Sequence, residues 1–597
     1  MKRVLCLAGP LLLAVAGLTE GLSARAEQTP HATVDVDLTR RRAIGGHSVF
    51  DRHTWFGVYL SPGFGTTLVT IDGQRKNVDT WIRDEGAMLP SRGTVGFRKY
   101  WKNGGYVLFT EDPNRPGFIN PAELARYVGT PDRYVRAKQL DPNHKTILSG
   151  EGHGEFPDFM CWPKELTHGV NTVSNHAAHA EAVIATFRRI EQAGGLMPKW
   201  YEVLNESTVQ SNFGWHWDPD AWDKLAEFHN AVAEAMAVAH PEVKVAGPTD
   251  AWPYVDGENG QFSAWFSQNK RFIQLSGDKL GAYSFHPYEL DFAAKYGKAT
   301  VYEAQFVTQH VWSKGRLESF VDLWENEHWL RWGDYKPFVI SEYGALDWGE
   351  TNQFNYVKSC NAMLAALMER PDVIDKMSVF ILSYAPWNPS YRLTFFTSDD
   401  GGRTYHPTPF MNYLRFWKDL AGEYLFASSD NYHVLSRAFL TNDVVYVLLH
   451  NNHRDEQRAE VRLSLPPDTE VQQAELKMLF QNHQDLGFQD YAPVASLADI
   501  PLPPEATAIL RLKLNHAPAL PLYFEDNYYG NKVLENITAN ALEEFAINVT
   551  KPLDHALEGG RLHFSLHKNG GFAYNPVEIR INGFRLRNLP DIRHSAG

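Results

Sequence analysis

Cysteine is scarce, with three in 597 residues, and only Cys161 and Cys360 lie beyond the first few positions. That excludes a disulfide framework and leaves room for at most one bridge; two separate thiols are expected. Stability must then come from packed cores, which a chain of this length divides among two to four domains. An excess of positive charge is also missing. The 57 Lys and Arg are outnumbered by 71 Asp and Glu, for a net charge of −14. This argues against a nucleic-acid binder, while a local basic groove for an acidic polymer stays compatible with the total. Beyond the N-terminus no apolar run reaches bilayer length, so no membrane span is expected. Internal repeats and low-complexity segments are absent too.

Two motifs lack their essential partners. Gly150-Glu151-Gly152-His153-Gly154-Glu155 has no Lys-Ser/Thr and is no phosphate loop. It reads instead as a substrate-lining loop, with His153 a candidate contact. His176, His179 and Glu181 fall on a predicted helix without a fourth ligand, so a solvated helix face is expected and no metal. Asn205-Glu206-Ser207 formally matches a glycosylation acceptor, a weak pattern on its own.

What the N-terminus does have is an export signal. Lys2 and Arg3 precede the apolar run Val4 to Leu18, and Ala24-Arg25-Ala26 supplies a small-x-small cleavage site. Residues 1–26 are read as a signal peptide, with a mature start near Glu27 and a secreted or periplasmic product.

From about residue 50 to 420, strand-like runs alternate with amphipathic helical stretches. The strands are Phe56 to Leu60, Leu89 to Val95, Thr146 to Ser149, Trp200 to Leu204, Val243 to Ala246, Ala282 to Phe285, Phe338 to Ser341 and Val379 to Ser383. Helices are expected over Ala177 to Ala193, Pro219 to Ala239, Leu317 to Trp332 and Gln353 to Arg370. Eight β/α units predict an α/β chain folded as a closed (β/α)8 TIM barrel. A doubly wound open sheet is the alternative, but its Gly-rich turn after the first strand is not evident. Past residue 420 short strands separated by Asn, Asp and Pro turns predict two all-β sandwich domains, 421–515 and 516–597. The alternating strand in 27–49 is expected to join one of them.

Two barrel strands end in glutamate. Lys199-Trp200-Tyr201-Glu202-Val203-Leu204-Asn205-Glu206 runs into an Asn-Glu pair, and Pro337-Phe338-Val339-Ile340-Ser341-Glu342-Tyr343-Gly344 repeats the pattern. On a barrel rim the two carboxylates converge, and such a pair is what glycosidic cleavage needs. Glu206 is the candidate general acid/base, with Asn205 placed for a sugar 2-hydroxyl. Glu342 is the candidate nucleophile, which must stay ionised and so needs donors; Arg92 and Tyr288 are the candidates. His286 ends the sixth strand, facing either the sugar or only a structural turn. Tyr384 and Trp387 follow the eighth, where aromatic faces stack on pyranose rings. Trp101, Trp312 and Trp348 could extend that platform.

Taken together, these motifs resemble the retaining (β/α)8 glycosidases of clan A. The segments Lys199 to Ser207 and Pro337 to Ala345, the Ser91-Arg92-Gly93 turn and the trailing β-domains look like glycoside hydrolase family 86, the β-agarases and β-porphyranases. The resemblance covers nearly the whole mature chain. It implies endo-hydrolysis of β-1,4-galactosidic bonds in agar-type red-algal galactans with retention of configuration, without cofactor. By motif position, Glu206 carries over as acid/base, Glu342 as nucleophile, and Asn205, Tyr288, Trp387 and Arg92 as substrate- or nucleophile-contacting groups. A β-agarase is expected first and a β-porphyranase second. The latter needs donors for a 6-sulfate, for which Arg83, Arg92, Arg98 and Arg392 are available. A clan A glycosidase on another polysaccharide, or a non-catalytic carbohydrate-binding protein, are the remaining alternatives. The expected partner is the polysaccharide alone, met by a monomer.

Overall fold

The structure is a computed structural model that describes residues 2–8, 31–533, 542–548, 577–581 and 584–585. Within 31–533 the description leaves out 60–67, 72–73, 87–89, 103–104, 128–130, 153–155, 256–261, 290–314, 346–352 and 386–387, and residues 210, 217, 254, 389, 402 and 484.

Eight parallel strands close into a barrel. They are Gly57–Tyr59 (β1), Pro90–Val95 (β2), Ile147–Gly150 (β3), Trp200–Glu202 (β4), Lys244–Ala251 (β5), Ala282–His286 (β6), Phe338–Ala345 (β7) and Ile374–Leu382 (β8). β8 pairs with β1 and β1 with β2, which closes the ring, and the open-sheet alternative falls away. All residues of β3, β4, β6 and β7 are buried, as expected for parallel strands covered on both faces. Toward the end where the strands begin, Ile147, Trp200, Ala246, Ala282 and Val339 form a cluster of their own. One indole fills space that two alanines leave, the large-against-small packing that makes a barrel interior solid.

Helices cover the outside, and their ends have local causes. His176–Gln192 starts where the Asn175 side chain accepts from the Ala178 N–H at 3.1 Å. Arg316–Trp332 stops at Gly333, whose φ of +76° is a left-handed cap that favours glycine. One expectation needs correction here. His179 is not on a solvated helix face: it is fully buried, its Nε2 lies 3.2 Å from the Tyr201 hydroxyl, and its ring packs against Phe97, Phe156 and Phe228. Burial pushes its pKa down to about 3. The helix turns that histidine inward because the phenol on β4 gives the ring a polar partner.

Past the barrel lies one large curled sheet of eleven strands. His31–Ile44 sits inside it, antiparallel to Gly422–Ser429 and parallel to Gln457–Ser464. The sheet reaches past residue 515, because Leu522–Glu525 pairs with Arg41–Ile44. Strand alternation divides its side chains between two cores. Val445, Val447, Leu449, Leu510 and Leu512 fill the sheet's own core, while Leu448 and Ile509 belong to the barrel's. Arg42 bolts the two units together. It is buried between Glu369 of the barrel, at 3.0 Å, and Glu525, at 2.6 Å. A separate four-stranded sheet runs Leu542–Ile547, Lys2–Ala8, Val577–Ile581, Phe584–Arg585, and its second strand comes from the segment read from sequence as a signal peptide, so removal of that segment would take this strand away. Cys161 and Cys360 are free thiols. Among the described residues no helix is long and apolar enough to cross a membrane.

Candidate active site

The site lies where the strands end, and each key side chain is aimed by a local irregularity. After β4 the Asn205 N–H donates to Gly150 O at 2.7 Å, which ties the turn to β3. Glu206 then adopts a φ of +48°, a conformation that L side chains seldom take. The Asn212 amide holds the carbonyls of Asn205 and Glu206 at 3.0 and 3.3 Å. In β7 the pairing with β8 slips between Ile340 and Tyr343, a bulge that straddles Ser341 and Glu342. Bulges re-aim side chains, and this one delivers Glu342 to the barrel mouth. Gly344 follows because a Cβ there would lie 2.1 Å from the Tyr356 hydroxyl.

Glu206 and Glu342 meet. One carboxylate oxygen of each, with a nitrogen of His286, lies within 4.8 Å of the others. Glu342 is held by two donors: Arg92, through Nη1, and the Tyr288 hydroxyl at 2.6 Å. Arg92 also reaches Glu202 with Nε at 2.9 Å and Nη2 at 2.8 Å, Ser149 Oγ at 3.0 Å and Asn205 Oδ1 at 2.7 Å. His286 Nδ1 lies 3.3 Å from Glu206 and 3.6 Å from Glu342, and its Nε2 is 2.9 Å from Ser341 Oγ. Glu206 keeps 18% of its side chain exposed against 6% for Glu342, so it stands nearer the solvent. The three-residue spacing could hold a cation, but the guanidinium of Arg92 already supplies positive charge there.

Burial and pairing set the charges. For Arg92, wholly buried, desolvation opposes the charge, but Glu202 and Glu342 outweigh it and raise its pKa. Glu202 is the mirror case: burial would raise it, yet Arg92 and then His286 hold it below the usual carboxylate range. Burial, reinforced by Glu342, lifts Tyr288 well above an ordinary phenol, so it stays a donor. Asp250, on β5, is pushed up to about 7 by burial, with Glu206 adding and Thr208 and His286 opposing.

Of the residues singled out from sequence, Arg92, Asn205, Glu206, His286, Tyr288 and Glu342 are brought into one network. Tyr384 is buried against Tyr405, with ring centroids 5.5 Å apart. His153 and Trp387 lie outside the described residues, as do Trp312 and Trp348. Sequence reasoning passed over Glu202, which it treated as part of an apolar strand. Its signal was there: an acid inside a buried strand requires a partner, and Arg92 is that partner.

No family model matches the chain. Among curated proteins it is 24% identical to a funoran endo-β-hydrolase of Wenyingzhuangia aestuarii, over 96% of this chain and 77% of that protein. It is 23% identical to β-porphyranase A of Phocaeicola plebeius, over 94% and 71%. A β-agarase of Pseudoalteromonas atlantica is 26% identical, over 43% of this chain and 52% of that one. Nearly the whole chain is thus similar in sequence to a funoran hydrolase and a porphyranase. Solved structures share its fold. BuGH86, in complex with neoagarooctaose, superposes with a TM-score of 0.69 at 20% identity, covering 85% of this chain and 82% of that one. A family 86 β-porphyranase from the human gut bacterium Bacteroides plebeius gives 0.59 at 17%, covering 84% and 80%.

Proposed function

We propose that this protein is an exported endo-acting glycoside hydrolase that cleaves β-1,4-galactosidic bonds of agar-type galactans with retention of configuration. The observation that carries the reading is the carboxylate pair, with oxygens of Glu206 and Glu342 within 4.8 Å and Glu342 gripped by Arg92 and Tyr288. Retaining enzymes hold their two carboxyls about 5–5.5 Å apart, inverting ones roughly 6.5–9.5 Å, to leave room for water.

Each group then has a task. Glu342, held by its two donors, attacks the anomeric carbon while Glu206 gives its proton to the leaving oxygen. The bond to the leaving sugar breaks as the bond to Glu342 forms, giving a covalent galactosyl-enzyme. Glu206, now a base, takes a proton from water, which attacks the same carbon and releases Glu342. Two displacements restore the β configuration. His286, within hydrogen-bond reach of Glu206 and of Ser341, orients the acid/base. Asn205, fixed by Arg92, presents its amide to a sugar 2-hydroxyl.

Agarose is the first substrate expected. A second reading, a sulfated or otherwise substituted galactan of the same algae, is favoured by the match to a funoran hydrolase across 96% of this chain. Product profiling on agarose, porphyran and funoran in parallel separates the two. Oligosaccharide release from agarose supports the first, release from funoran or porphyran alone supports the second, and no release from any of them overturns both.

A further inference from the structure

The turn that carries Glu206 is fastened from β5. The Ser207 hydroxyl donates to Pro248 O, and the Thr208 hydroxyl donates to an Asp250 carboxyl oxygen while accepting from the Ala251 N–H at 3.1 Å. These bonds follow directly after a residue at φ +48° and hold it in a conformation it would otherwise leave. The receiving strand is itself irregular. Its pairing with β6 slips between Pro248 and Asp250, and Thr249 sits at φ +58° with its hydroxyl 2.8 Å from Ser284 Oγ. That slip turns the carboxyl of Asp250, 4% exposed, toward the Glu206 turn. Asp250 faces two titratable partners, Glu206 from the β4 turn and His286 from β6.

We propose that Thr208 and Asp250 are positioning residues for Glu206, a clasp that keeps the acid/base turn left-handed and its carboxyl over Glu342. This rests on the assignment of Glu206 as acid/base. The clasp also acts through charge. An ionised Asp250 beside Glu206 makes the proton on Glu206 harder to lose. Removing that carboxyl while keeping an acceptor for Thr208, as Asp250→Asn does, frees the Glu206 proton at lower pH. A small displacement of a proton donor costs turnover far more than binding, because the ground state needs no proton.

The test measures kcat, KM and the pH profile of full-length Thr208→Val, Thr208→Ser, Asp250→Asn and Glu206→Gln on whichever of agarose, porphyran and funoran the wild type cleaves. Thr208→Ser keeps the hydroxyl and should stay within about 2-fold of wild type. Thr208→Val should lose roughly 10–100-fold in kcat with KM nearly unchanged. Asp250→Asn should move the alkaline limb of kcat/KM to lower pH. Wild-type kcat in Thr208→Val with an unshifted limb in Asp250→Asn, while Glu206→Gln is inactive, overturns the clasp alone. Equal losses in Thr208→Val and Thr208→Ser also overturn it, since the hydroxyl would then be irrelevant. Full activity in Glu206→Gln overturns the assignment of Glu206 itself.

Discussion

The two ends of the barrel each bury a cation, and they treat it in opposite ways. At the rim where the strands end, Arg92 is fully buried but bonded to Glu202 and Glu342, and its charge is secured. At the other end Lys376 of β8 is as deeply buried, but its Nζ donates to the His53 carbonyl. Burial, with Lys145 adding repulsion, pushes it down to about 7. Around it Lys145 pairs with Asp51 at 2.7 Å and Lys199 with Asp375 at 2.6 Å, so the local carboxylates are engaged elsewhere. A buried charge persists only where a partner meets it. Arg92 has two such partners at the rim, where ionised groups have chemistry to do, and Lys376 has a carbonyl in their place.

Breaking the rim should cost most. Glu342→Gln should lower kcat by roughly 10⁴-fold or more, in line with losses seen when nucleophiles are removed. Glu342→Gly should recover turnover with azide on an activated aryl glycoside, detected as a glycosyl azide. Arg92→Met comes next. It strands two buried carboxylates, so a loss of about 3–5 kcal/mol in unfolding free energy is expected by denaturant titration, along with most activity. A stability near wild type would mean that Glu202 and Glu342 do not depend on Arg92.

The smaller effects are pH slopes. Lys376 has its folded pKa lowered from 10.5 to about 7. Between those values the unfolded chain binds the extra proton, so stability rises with pH across 7–10.5 and is flat, for this group, below 7. Lys376→Met should remove up to about 1.4 kcal/mol per pH unit of that slope while leaving the rim chemistry intact. Asp250 has the opposite sign. Its folded pKa is raised from 3.8 to about 7, so its contribution is full below 3.8 and lost as pH climbs through 7. Asp250→Asn should flatten that decline. Unchanged slopes in both variants would erase the contrast between the two ends.

Much of this was legible in the sequence because barrel strands are apolar and evenly punctuated. All eight lie near their expected places, but three, β5, β7 and β8, are several residues longer than expected, because chemistry interrupts the apolar run; β7 was expected to stop at Ser341 and runs past Glu342 to Ala345. β5 was expected to stop at Ala246 and runs to Ala251, past the glycine, proline and left-handed Thr249 that break its pattern. β8 was expected from Val379 and starts at Ile374, because Lys376 masks its first turn into the core. The same cause hid Glu202. The residue types of the site were readable as strand-end carboxylates. Their mutual fit was not, since Arg92, Glu202, Asn205 and Glu342 lie on three strands whose register only the closed barrel sets. The clasp at Thr208 and Asp250 depends on two left-handed residues, and nothing in their one-dimensional order announces either.

The most direct test of the central claim follows the anomeric proton signals of the first oligosaccharides released from the cleaved galactan, by NMR within minutes of mixing. A retaining pair of Glu206 and Glu342 predicts that the β-galactose reducing end appears first and the α form grows in later by mutarotation. An α reducing end appearing first would contradict the account, because it requires water to attack directly where the structure has put Glu342.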